Sequence, residues 1–392
     1  MKVLFYRYGS ICEPDIIDTF QEIGLEVDEY TKEITNKNIS QKDSVNQVGN
    51  YLMDHPVDFV FSINFFPFLS EICNVFHIRY LSWIVDAPVM ELYSTAIENP
   101  WNRTFIFDRA VYDEIHPLNP DCVFHLPLGA NVAPKDALFK RSSASDRKRF
   151  SHDIAFVGSL YTEKCPYDKL SGASESLRGY LDGIMRAQEQ VYGYYFIEEL
   201  LSDQHVEEFR KHLPGFYHYP AASHLTDKRT MSQLYIGNKI SAMERVDSFR
   251  LLSDHFPVTI YTGSDTTALP KLDNRGLAKS LTEMPLIFHQ SKINLNITSK
   301  AIRTGLPLRI FDILSCGGFV LSNYQPEIPE LFNIGEDLAV YTSQEELLAL
   351  CEYYLTHEED RIAIAENGYE KLKQHYTYEK QLEKLLLTAF KS

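Results

Sequence analysis

Positive charge is what this sequence has least of: 38 lysines and arginines stand against 54 aspartates and glutamates in 392 residues, a net charge of −16. A surface that grips nucleic acid is normally basic, so that partner is excluded for the chain at large, though a local basic pocket is not. Paired cysteines are missing as well. Cys12, Cys73, Cys122, Cys165, Cys316 and Cys351 lie far apart with no C-x-x-C, which argues against a zinc ribbon or a disulfide frame and fits reduced, cytoplasmic usage. There is no long hydrophobic run. The most apolar stretch, Phe59 to Leu69, contains Asn64 and Pro67 and is too short to cross a bilayer, so no transmembrane segment is expected. The N-terminus, MKVLFYRYGSICEPD, turns polar after a short strand and does not read as a signal peptide.

Several catalytic signatures are absent too. No G-x-G-x-x-G follows the first strand, which removes dinucleotide redox chemistry, and there is no Walker A motif or G-x-S-x-G elbow. No D-x-D occurs, and the 13 histidines show neither H-x-x-x-H nor H-E-x-x-H spacing. No metal and no cofactor are expected on these grounds.

What is present is an alternation of short buried strands with helices. Lys2–Tyr6, Leu25–Tyr30, Val57–Ile63, Tyr80–Val85, Thr104–Phe107 and Cys122–Leu126 read as the strands of a first αβ domain, residues 1–133. Ser40–Asp54 reads as a polar helix between them. Residues 134–152, rich in Lys, Arg and Ser, read as an exposed linker. Asp153–Gly158 restarts the alternation for a second αβ domain, 153–376, with a helical insertion over 160–224. Its later strands are Val258–Tyr261, Lys292–Ile297, Phe319–Leu321 and Leu338–Tyr341. The ending, 377–392, reads as a last helix with Thr377 as its N-cap. The fold class expected is α/β, two Rossmann-like domains facing a cleft.

The most informative stretch is Ile297 to Asn323, ITSKAIRTGLPLRIFDILSCGGFVLSN. A polar, basic loop (Ser299, Lys300, Arg303, Thr304, Gly305) leads into a helix from about Pro307 to Ser315 that stops at Gly317-Gly318. Arg309 and Asp312, three apart, share a helix face. One reading puts a nucleoside diphosphate at the helix start and a ribose on Asp312; the other makes Arg309–Asp312 a structural pair. Loops after other strands of the second domain fit the first reading: Gly158-Ser159, Tyr261 to Gly263, and Asn296 to Thr298. Gly158, Ser159, Tyr261, Gly263, Asn296, Thr298, Thr304, Gly305, Leu308, Arg309 and Asp312 are therefore the candidate donor-binding residues, with Arg303 facing the leaving group. In the first domain Glu13, Asp15, Asp86, Asp108 and His125 are candidates for acid–base work, and Asp86, after a strand and before Ala87-Pro88, is the one expected to serve as base. The competing readings make Asp86 a turn residue and Asp108 the N-cap of a helix from Arg109.

The tracts DIAFVGSLY (Asp153–Tyr161), KINLNIT (Lys292–Thr298), LRIFDILSCGGFVLSN (Leu308–Asn323) and NGYEKLKQHYTYEKQL (Asn367–Leu382) resemble the CgeB-like, spore-maturation type branch of the GT-B glycosyltransferases. That resemblance implies a cytoplasmic, metal-independent enzyme that transfers a sugar from a nucleotide-sugar, UDP-linked by default, to a hydroxyl of a glycan, protein or small molecule. It also implies a final helix that crosses back to the first domain. In the wider class two acids are separated by seven residues, the first at the sugar and the second at the ribose. Asp312 takes the second position here, and the first falls on Thr304, which is not acidic. The alternative to an enzyme is a catalytically silent nucleotide-sugar-binding or scaffold protein of the same fold.

Overall fold

A computed structural model describes residues 1–36, 41–163, 165–219 and 222–391. The expected helix start at Ser40 lies outside the described residues. The chain divides into two compact units. One comprises Met1–Asn131, Tyr219–Leu225 and the segment from Tyr376 onward; the other comprises Val132–His218 and Thr226–His375.

The first unit is built on a six-stranded parallel sheet: β1 (Lys2–Tyr6), β2 (Glu26–Tyr30), β3 (Phe59–Ile63), β4 (Arg79–Ile84), β5 (Asn102–Ile106) and β6 (Val123–His125), in the order β2-β1-β3-β4-β5-β6. The inner strands are buried almost throughout, as parallel strands covered on both faces must be. Phe5, Phe20, Phe59 and Phe61 pack ring against ring with centroids 5.0–6.3 Å apart. The last helix, Tyr378–Ala389, belongs to this unit. Thr377 caps it, Tyr378 packs edge-on to Trp83, Phe390 meets Phe59, and Gln381 Nε2 donates to Pro127 O at 2.5 Å.

The second sheet is also six-stranded and parallel: β7 (Ile154–Val157), β8 (Val258–Tyr261), β9 (Asp273–Asn274), β10 (Ile293–Asn296), β11 (Val320–Asn323) and β12 (Ala339–Tyr341), in the order β12-β11-β10-β7-β8-β9. The chain order reverses between β7 and β10, where Ile293 pairs with Ile154 and Asn294 with Ala155. In the first sheet the same reversal lies between β1 and β3. Ligands of open αβ sheets bind beyond the carboxyl ends of strands at such switch points. The insertion shares a core with the helix that follows it, in which Leu177, Leu181, Met185 and Phe209 meet Tyr235 and Ile240. Among the described residues no helix is long and apolar enough to cross a membrane.

Residues 134–152, expected as an exposed linker, hold the helices Ala133–Arg141 and Ala144–Arg149, the second started by a capping box between Ser143 and Asp146. Lys135, expected to be solvated, is only 9% exposed because Asp312 and Ser315 receive its ammonium. The insertion, expected to be helical, holds the helices Glu175–Glu189, Ile197–Leu200 and Asp203–His212. The first break contains Gly193, whose backbone is left-handed (φ 79°).

Candidate functional site

At the switch point of the second sheet the loops after β7 and β10 are joined by one side chain. Arg245 projects from the helix Gly237–His255 and donates to both Ser159 O and Ile297 O, the latter at 2.6 Å. Tyr161, in a left-handed backbone conformation (φ 61°), lays its ring 4.4 Å from the guanidinium. The loop after β8 is tied in as well: Leu160 N donates to Ser264 Oγ at 2.8 Å, and Thr262 Oγ1 donates to Ser264 Oγ. Gly158, Ser159 and Gly263 thus share one edge. Tyr261 spends its hydroxyl elsewhere, on His152 Nε2 at 2.9 Å.

Asn296 and Thr298 are buried and committed to the frame. Asn296 Nδ2 donates to Thr298 Oγ1 and Ser322 Oγ, both at 2.9 Å, and Thr298 N donates to Asn323 Oδ1 at 2.8 Å. They lock the ends of β10 and β11 together. Beside them Lys300, 8% exposed, pairs with Glu244, 1% exposed, at 3.4 Å and lies 4.4 Å from the Tyr192 ring centre. Burial, with the Glu244 carboxylate adding to it, pushes the Tyr192 hydroxyl pKa well up.

The helix after the basic loop runs only over Leu308–Leu314, seven residues, with Pro307 as its extended N-cap. Two turns carry a small dipole, so side chains supply most of the positive charge here. Gly305 is buried and Leu308 half-buried. Arg309 reaches Asp312 Oδ2 at 3.4 Å, contacts Met284 Sδ and lies over Phe288. Asp312 Oδ1 faces Lys135 Nζ at 3.6 Å. Thr304 donates its hydroxyl to Glu327 Oε1 at 2.8 Å, and Glu327 N donates back to Thr304 O at 3.2 Å. The non-acidic position at 304 therefore receives a buried carboxylate from the loop after β11. Arg303, in the same loop, is half-buried.

In the first unit Asn64, left-handed at φ 58°, sits at the switch point after β3. Its Nδ2 donates to Tyr8 Oη at 2.9 Å and to Asp86 Oδ2 at 2.7 Å, while its Oδ1 accepts from Val85 N at 3.0 Å. Asp86 is exposed and precedes the cis Ala87-Pro88 bond. Burial, then the Asp86 charge, raises the Tyr8 pKa. Glu13 is fully buried and holds the loop after β1: Tyr8 N and Gly9 N donate to its Oε1 at 2.9 and 3.0 Å, and Arg7 pairs with its Oε2. Asp108 caps the helix Arg109–Ile115 through Val111 N. His125 Nε2 lies 3.2 Å from Phe107 O.

Sequence reasoning missed Glu244, Arg245, Tyr161, Lys135 and Glu327. Glu244 and Arg245 stand on a helix with no single apolar face, where adjacent opposite charges read as a solvated pair. Among the described residues no group of three or more His, Cys, Asp or Glu is placed to hold a metal ion. A cavity of about 580 Å³ lined by Phe139, His289, Phe319, Arg361 and Tyr369 lies at the amino ends of β10 and β11, away from this edge.

His152 gives a pH dependence. Burial, with Arg275 adding to it, lowers its pKa below the ordinary histidine value. The unfolded chain then binds this proton first as pH falls. Stability present above about pH 6.5 is lost on acidification until the folded pKa is passed. Urea unfolding from pH 7 to 5 is expected to show a shallower loss for His152→Gln than for the parent; equal slopes would remove His152 from the account.

Residues 247–387 match the family described as glycosyl transferase-like. No curated protein matches the chain. Similar solved structures include Anabaena HepE in complex with UDP-glucose, at 11% identity and TM-score 0.57 over 99% of each chain. A glycosyltransferase from Rickettsia africae is similar at 10% identity and TM-score 0.54, over 99% of this chain and 97% of that one. WaaG, a glycosyltransferase involved in lipopolysaccharide biosynthesis, is similar at 11% identity and TM-score 0.53 over 100% of both. At these identities the likeness is one of fold. The fold is GT-B, and within it residues 247–387 are glycosyl transferase-like.

Proposed function

We propose that this protein is a metal-independent, cytoplasmic glycosyltransferase of the CgeB-like branch. It moves a sugar from a nucleoside-diphosphate donor, UDP-linked by default, to a hydroxyl of a glycan, protein or small molecule. The observation that carries this reading is the overlap of the glycosyl transferase-like stretch, 247–387, with the loops at the carboxyl edge of the second sheet. HepE, of the same fold, was solved with UDP-glucose.

In this reading the acceptor oxygen bonds to the anomeric carbon as that carbon's bond to the diphosphate oxygen breaks. The hydroxyl proton passes to a base, and the nucleoside diphosphate leaves with the bonding pair. Charge grows on the diphosphate, so fixed donors aimed at it lower the barrier. Gly158, Ser159, Gly263 and Gly305 bring backbone to the donor, Leu308 and Arg309 border it, Arg303 faces the leaving group, and Asp312 takes the ribose. Asn296 and Thr298 act by holding the strand ends in place. In an inverting reaction Asp86 is the proton acceptor, kept in place by Asn64.

Transfer assays with a panel of sugar nucleotides test the reading. Release of nucleoside diphosphate that depends on an added acceptor is the expected result. Tight binding of a nucleotide with no turnover of any donor would favour the silent, scaffold alternative.

A further inference from the structure

Arg245 is a buried charge without a direct ion pair among the described residues. Its side chain is more than nine-tenths buried, and among the described residues it has no salt-bridge partner. Two of its N–H groups go to carbonyl oxygens, and its Nε has no hydrogen-bond acceptor. Glu244, next in the chain, is engaged by Lys300. A buried guanidinium of this kind is costly, because carbonyls and rings replace only part of its hydration. Burial lowers its pKa; Tyr161 and Glu244 oppose that in part and Arg309 adds to it, and arginine stays protonated.

The surroundings balance it only in part. Along this edge four cations, Lys135, Arg245, Lys300 and Arg309, meet three carboxylates, Glu244, Asp312 and the exposed Glu163, which accepts from Ser159 Oγ at 2.9 Å. Arg303 and Glu327 add one charge of each sign. This local excess of positive charge stands in a chain of net charge −16. Arg245 lies at its centre, bridging the strand ends on both sides of the switch point.

Building on the donor-site reading above, we infer that Arg245 is the positioning residue for the donor's diphosphate. It clamps the Ser159 and Ile297 carbonyls so that the two loops keep their spacing. Its charge, held in no direct ion pair, lies behind the backbone that the donor-site reading assigns to the phosphates. In a medium of low effective dielectric such a charge acts across several ångströms without contact. The ligand class it selects is a nucleoside diphosphate over the parent nucleoside.

Calorimetric titration of the full chain with UDP, GDP and ADP, each beside its nucleoside, tests this. Arg245→Met keeps the apolar stem and removes the charge. It is expected to weaken binding of the preferred diphosphate about tenfold and to leave the nucleoside within about twofold. Arg245→Lys keeps the charge and loses the fork; it is expected to retain most of the parent's preference for diphosphate over nucleoside. Equal weakening of both ligands by Arg245→Met would reduce Arg245 to a structural clamp and overturn the inference, as would no change in either. If Arg245→Met does not fold, loss of the preference in Arg245→Lys overturns it as well. A parent protein that binds none of the three diphosphates removes the donor-site reading itself.

Discussion

Replacing Gly368 by alanine is expected to destabilise the second unit by about 2 kcal/mol, although the site is inside a helix. Alanine gains up to about 1 kcal/mol over glycine in a helix interior. Here a Cβ would stand 2.2 Å from Asp337 O and 2.7 Å from Leu314 Cδ2. The carbonyl cannot simply move away. Asp337 N is bonded to Asn333 O at 2.9 Å, and Lys371 holds the Asp337 carboxylate at 2.8 Å. Asn367 Nδ2 adds a bond to Glu336 O at 3.2 Å. The helix Glu358–His375 is thus pinned to the loop before β12 over three successive contacts. Overpacking against a fixed backbone costs about 3 kcal/mol, at the upper end of the usual range, and outweighs the propensity gain. Gly179 is the control: it lies in the exposed face of Glu175–Glu189 with nothing within 4 Å of a built Cβ. Gly179→Ala is expected to stabilise by up to about 1 kcal/mol. Urea unfolding of both variants reads the pair; a Gly368→Ala protein at least as stable as the parent would contradict the close packing.

Asp312→Ala is expected to weaken nucleotide binding by about 1.5–3 kcal/mol, the worth of a charge-assisted hydrogen bond. The Asp312 side chain is about one-fifth exposed, at 21%. Its two cationic neighbours stand at 3.4 and 3.6 Å, longer than tight charge-assisted bonds, so the carboxylate keeps lone pairs for a ribose. Ribose is common to nucleotide and nucleoside, and both should lose affinity by the same factor. That pattern is the opposite of the one expected for Arg245. A loss confined to the diphosphate would mean that Asp312 acts through Arg309 and Lys135. Unchanged affinity for both ligands would leave Arg309–Asp312 as a structural pair. Because Lys135 is buried beside Asp312, Asp312→Asn serves as the milder variant.

Much of the scaffold was legible because its signals are local. Ile154–Val157 is an unbroken apolar run and Phe59–Ile63 is broken only by Ser62, as strands covered on both faces require. Ser343, Thr377 and Asp108 stand just before helices and cap them. The carboxyl edge of the second sheet was legible as a set of strand-end loops but not as a network. Thr304 reads as a missing acid because Glu327, 23 residues on, cannot be placed beside it without the fold. Arg245 hides in a long helix whose charges look solvated. Lys135 and its neighbours look like a basic connector, yet the helix Ala133–Arg141 buries the lysine against Asp312. Each miss is a long-range pairing of charges, which periodicity and local propensity do not report.

The central claim is that the carboxyl edge of the second sheet receives a nucleoside diphosphate. Thermal unfolding of the full chain with UDP, GDP, ADP and their sugar conjugates tests it most directly. At about one hundred times its dissociation constant, a ligand that binds only the folded chain stabilises it by about 2.7 kcal/mol. The account predicts a rise of several degrees for one nucleotide and its sugar conjugate, reduced in Asp312→Ala and Arg245→Met. No rise with any of them at millimolar concentration would contradict it.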